Sequence, residues 1–212
     1  MEKGNSKIIL DERWRLEDFN VLTKEYQQLY GFFHALRAID EGEFPDLEFE
    51  SMPWLGGGSV VGFFSIAGKY VNPEDQPVVK RIQYASPGLI ELTLFVDVAK
   101  DIAIIVTSLA SAAGSAACTY HLIYSQYQKR KLTQLKIKEL EAKQLREEIQ
   151  FVKDSILELH QTFGLTPSQV NSLHKLSKGD ELIQLKMLLA LYRRAEPLAK
   201  LQAQNKASFK DA

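Results

Sequence analysis

The sequence predicts an α+β protein: a small N-terminal head with an antiparallel hairpin, a long helix that is partly coiled coil, and two C-terminal helices. Three observations predict it. Two β-rich runs, Val78 to Ala85 and Leu89 to Val96, flank Ser86-Pro87-Gly88, whose proline and glycine suit the central positions of a type II turn. The stretch from Asp97 to Phe163 holds no proline and a single glycine, Gly114, so it reads as one long helix or two helices in line. Within it, Ala142, Leu145, Ile149, Val152, Ile156, Leu159 and Phe163 recur at alternating steps of 3 and 4, a heptad seam. The expected divisions are 1–96 for the head, 97–163 for the long helix and 164–212 for the helical pair.

A chain of 212 residues can bury a sizeable core, and 45% apolar with 25% charged residues is a globular composition rather than a disordered one. The single cysteine, Cys118, excludes an intrachain disulfide framework. MEKGNSKIIL contains no long apolar core, so no secretory signal is expected. The reading is of a cytoplasmic chain, with association to a membrane as the alternative. The net charge of −1 conceals an acidic start, with 9 basic and 15 acidic side chains in 1–95, and a basic end, with 16 and 10 in 129–212.

Taken in order, Lys7 to Trp14 reads as a strand, and Thr23 as the N-cap of a helix over 24–39. Tyr26, Leu29, Tyr30, Phe33 and Leu36 form that helix's apolar face, with His34 packed beside it. Asp40 to Glu50 is an acidic loop, or a short edge strand, in which Leu47 and Phe49 alternate with carboxylates; its spacing does not match a calcium-binding loop. Trp54-Leu55-Gly56-Gly57-Gly58-Ser59 lacks the Gly-Lys-Ser/Thr of a phosphate loop and the GxGxxG of a dinucleotide site. It reads as a turn into a short helix whose face is Val60, Phe63, Phe64, Ala67 and Tyr70, with a buried strand over Val60 to Phe64 as the alternative.

Regular alternation in the hairpin puts Val78, Lys80, Ile82 and Tyr84 on one face, and Val79, Arg81 and Gln83 on the other. The nearly all-apolar second strand should be central or covered on both faces, which makes Glu91 a buried-charge candidate unless an edge position exposes it. Asp97 is expected to cap the long helix, and Gly164 to end it. Thr166-Pro167 is a strong helix start, Asp180 caps the last helix to about Ala203, and Pro197 should kink it.

The 27 residues from Ile102 to Gln128 carry no Asp, Glu, Lys or Arg, which poses a membrane question for 102–124. Tyr120, Tyr124 and Tyr127 resemble an interfacial belt, and Ala110, Gly114 and Ala117 put small residues together, as membrane helix pairs do. Against this stand the Ala/Ser-rich middle, His121, and a basic flank that would place the head outside.

The four histidines have no metal-ligand spacing, Cys118 lacks basic neighbours and no Ser-His-Asp motif stands out, so no catalytic residue, cofactor or metal is expected. Lys129, Arg130, Lys131, Lys136 and Lys138 form a basic patch without a nucleic-acid recognition motif. The functional expectation is therefore a non-enzymatic structural or interaction protein that self-associates through its long helix and engages a protein partner. The alternative is a membrane-anchored or pore-type protein with 102–124 in the bilayer.

Overall fold

The computed structural model describes residues 1–42, 62–64, 67–68, 71–85, 87–112, 114–130 and 142–209, with backbone alone at 142–145. Their architecture is α+β, an antiparallel four-stranded sheet laid on a helical layer. The strands are β1 (Lys3–Leu10), β2 (Val78–Gln83), β3 (Gly88–Phe95) and β4 (Ala207–Ser208), in the spatial order β2-β3-β1-β4. The helices are α1 (Leu16–Asp40), α2 (Val96–Ser111), α3 (Ser115–Lys129), α4 (Ala142–Phe163), α5 (Pro167–Leu176) and α6 (Glu181–Ala203).

β1 lies against β3 from Lys3 opposite Phe95 to Leu10 opposite Gly88, so β3 is central, as its composition predicts. Among the described residues it is covered on one face only. Ile90, Leu92 and Leu94 are buried, whereas Leu89, Glu91 and Thr93 alternate outward and stay partly exposed. Glu91 thus sits at the outer face, where Lys80 Nζ meets it at 3.5 Å. The chain returns at its far end: β4 pairs with Ile9 and Leu10, and Phe209 is buried on Tyr26.

α1 starts earlier than expected. Asp18 accepts the Arg15 backbone N–H at 2.8 Å, closing the first turn at Leu16. Thr23 is therefore inside the helix rather than its cap, and its hydroxyl donates back to the Phe19 carbonyl at 2.8 Å. Its predicted apolar face holds, with Tyr26, Leu29, Tyr30, Phe33 and Leu36 all buried. Phe63, Phe64 and Ala67, the described part of the short helical face, pack there too, Phe64 stacking on Phe32 at 4.9 Å. A Cβ on Gly31 would lie 2.6 Å from the Gly68 nitrogen, so the bare glycine permits that approach.

The apolar stretch is neither one helix nor two in line. α2 and α3 meet at 94° across the break at 112–114. Val96 follows β3 directly, with Phe95 at the N-cap position and Asp97 inside the first turn, so Asp97 supplies favourable charge rather than the cap. Val98, Ile102, Ile105 and Val106 are at most 1% exposed, because α2 runs through the layer against α1, α4 and α6. No single described helix is long and apolar enough to cross a membrane; the bent pair meets that test only jointly.

Thr166 caps α5, accepting from the Gln169 N–H while Gln169 Oε1 accepts from the Thr166 N–H. Asp180 caps α6 through the Ile183 N–H. α6 passes through Pro197 without interruption. The proline removes one donor toward the Arg193 carbonyl, but Ala195, Leu198, Ala199 and Leu201 are buried around it and hold the axis. Residues from 1–96, 97–163 and 164–209 all join one hydrophobic core.

Candidate functional site

From Val152 to Phe163 the heptad seam faces the chain's own helices. Val152, Leu159 and Phe163 are fully buried and Ile156 is 8% exposed, in the contact of α4 with α6, α2 and α3. Ile149 is half-buried. The side chains of Ala142 and Leu145 lie outside the described residues. Over Val152 to Phe163 the 3-4 spacing therefore marks an intrachain packing stripe, since the same period serves any helix with one buried side.

The small residues end up on different helices. Ala110 on α2 and Ala117 on α3 line a depression of about 210 Å³ against Ala199 and Ala203 of α6. Gly114 is exposed at the bend, and a Cβ there would meet nothing within 4 Å, so no close backbone approach uses it. The tyrosines of α3 face the protein. Tyr120 stacks on Tyr192 at 3.9 Å and accepts from Arg193 Nε at 2.7 Å, while the Arg193 guanidinium lies 4.7 Å from the Tyr124 ring centre.

Of the basic patch, Lys129 is exposed at the end of α3, and Arg130 turns inward to Glu148 at 3.0 Å and onto the Phe151 ring. Lys131, Lys136 and Lys138 lie outside the described residues, as do most of the acidic loop and the Trp54–Ser59 turn.

Several buried ionisable groups are bound into the scaffold. Arg37 of α1 holds Asp101 of α2 bidentately, Nε to Oδ2 at 2.5 Å and Nη2 to Oδ1 at 2.8 Å. Burial lifts the Asp101 carboxyl above the usual carboxylate range, against the opposing pull of Arg37. Glu25 of α1 meets Arg194 of α6 at 3.3 Å. His160 lies 3.3 Å from the Gln184 amide, and burial holds its pKa down at about 4, so it is neutral near pH 7. Among the described residues, no group of three or more His, Cys, Asp or Glu side chains is placed to hold a metal ion.

The feature that stands out is a groove under the β2 edge. It encloses about 250 Å³ between the inner face of the sheet and α1. Ile8, Ile90, Leu92, Leu22 and Tyr26 form its floor, Val79, Ile82 and Pro77 one wall, and Phe19, Thr23 and Gln27 the other. The floor is buried, but Val79 and Ile82 are 53% and 58% exposed. Apolar rims of this kind are costly to leave in water, at about 25 cal/mol per Å².

Regular alternation would put Val79 and Ile82 on opposite faces. A β-bulge puts them on the same one. Val79 pairs with Leu92, Arg81 with Glu91 and Ile82 with Ile90, so Lys80 is the extra residue. Lys80 and Arg81 both oppose Glu91, and the frame flips between Val79 and Ile82. The predicted faces of the hairpin thus hold up to the bulge and invert beyond it. Adjacent basic residues opposite one acid are the only trace of this in the sequence, and they do not specify a bulge.

No protein-family model, curated protein or solved structure matches this chain.

Proposed function

We propose that the chain is a non-enzymatic interaction protein and that the groove between β2 and α1 is where it engages a partner. One observation carries this reading: two large aliphatic side chains at the rim, both more than half exposed, stand over a buried apolar floor. The ion pairs of Arg37, Arg130 and Arg194 support it, because they tie helices together rather than facing the groove. The expected self-association now has less reason to use the heptad seam, whose residues from Val152 to Phe163 are occupied within the chain.

A solvatochromic apolar dye of the anilinonaphthalene sulfonate type tests this. Its fluorescence should rise on adding the folded chain and fall several-fold with Val79→Asp or Ile82→Asp. Both positions are exposed, so melting temperature should stay within the small range of surface substitutions. Unchanged dye binding in both variants would rule out the groove.

A further inference from the structure

The groove has an open side, and its chemistry points to a particular occupant. Among the described residues β2 ends the sheet order, so one row of its backbone N–H and C=O groups has no strand beside it. Such an edge is a template for an added strand. The two faces of β2 differ sharply because of the bulge. Val79 and Ile82 face the groove, and Lys80 and Arg81 lie together on the opposite face, beside the exposed Val78. An antiparallel strand laid along β2 would sit about 4.8 Å away with its side chains alternating between these faces.

We propose that β2 binds an extended segment of a partner polypeptide in which apolar residues alternate with Asp or Glu, and this rests on the groove being the interaction site. Apolar side chains would roof the groove against Val79 and Ile82. The intervening carboxylates would lie over Lys80 and Arg81, where, among the described residues, the one acid Glu91 stands opposite both cations, pairing with Lys80 while Arg81 donates to Gln83.

Charge also argues against a second copy as the occupant. Antiparallel pairing of β2 with itself, centred on the strand, sets Lys80 or Arg81 opposite a basic residue of the copy, and like charges across a pair are destabilising. An edge lysine and a bulge are ordinary guards against unwanted pairing, and what they guard against here is a neutral or basic edge. An acidic strand passes the guard.

The probe is a blocked nine-residue peptide alternating leucine with glutamate, compared with its leucine–lysine counterpart, using the full chain and calorimetry. The glutamate peptide should bind at least ten-fold more tightly at low ionic strength, the gap narrowing as salt is raised. The double variant Lys80→Glu with Arg81→Glu should reverse the preference, and amide exchange from Val78 to Gln83 should slow on binding. Equal binding of both peptides, with dye binding still sensitive to Val79→Asp, overturns the acidic occupant and leaves the groove reading intact. Dimerisation abolished by Val79→Asp, with no peptide binding, overturns it in favour of a second copy.

Discussion

Removing Arg37 should harm this protein more than neutralising Asp101, and the difference should grow with pH. The side chain of Asp101 is 4% exposed, whereas that of Arg37 is 33% exposed. Deleting one partner of a buried ion pair costs about 3–5 kcal/mol, because the other charge is left uncompensated. Water can enter where the half-covered guanidinium stood, so Arg37→Ala should fall at or below the low end, about 2–3 kcal/mol. Asp101→Asn keeps the shape and part of the hydrogen bonding, and Arg37 can turn to solvent; about 1–2 kcal/mol is expected.

The sign of the pH dependence follows from burial. Burial raises the Asp101 carboxyl in the folded state, and losing Arg37 raises it further. A carboxyl whose folded pKa exceeds its unfolded value of about 3.9 favours folding at low pH, and that advantage is lost as pH rises. The Arg37→Ala penalty should therefore be smaller at pH 4 than at pH 7. Urea unfolding of both variants at the two pH values measures it. A pH-independent Arg37→Ala penalty, or an Asp101→Asn penalty as large, would refute the argument.

Three further outcomes are expected. Gly88→Ala should cost about 1–3 kcal/mol, because its Cβ would lie 2.7 Å from the Gln83 carbonyl oxygen; an unchanged denaturation midpoint would sink this close-packing account. Leu159→Ala should cost about 2–5 kcal/mol without altering sedimentation behaviour, since Leu159 is fully buried within its own chain; dissociation of an assembly without loss of stability would place the seam between chains instead. His160 has a folded pKa of about 4 against 6.5 in the unfolded chain, so it contributes stability that falls as pH drops through this window, by at most about 1.4 kcal/mol per pH unit. His160→Gln should flatten that part of the pH profile, and a profile identical to wild type would show that His160 does not titrate there.

Local chemistry was sufficient wherever a signal depends on neighbours in sequence. Thr166-Pro167 and Asp180 start their helices because a side-chain oxygen reaches an N–H three residues on, a relation that sequence spacing contains. The hairpin and its central second strand followed from two apolar runs across a short turn. A type II turn would hold Gly88 at positive φ, and Gly88 is not there; its lack of a Cβ is needed for the approach of Gln83 instead, a contact across the turn that a turn rule does not describe.

What faces what was decided by tertiary packing. A 3-4 repeat reports that one side of α4 is buried, and only the position of α6 says that the cover belongs to the same chain. A charge-free run says only that Ile102 to Gln128 lacks charge; the fold shows Ile102, Ile105, Val106, Tyr120, Ile123 and Tyr127 buried against the chain's own helices while Ile104 and Leu122 stay exposed, across a 94° bend. Arg37 and Asp101 lie 64 residues apart, so nothing short of the fold pairs them. The groove depends on a single inserted residue, Lys80, that turns Ile82 to the side of Val79. Sequence alternation is a property of an unbroken strand, and whether a strand is broken is settled by the partner it hydrogen-bonds to, here β3.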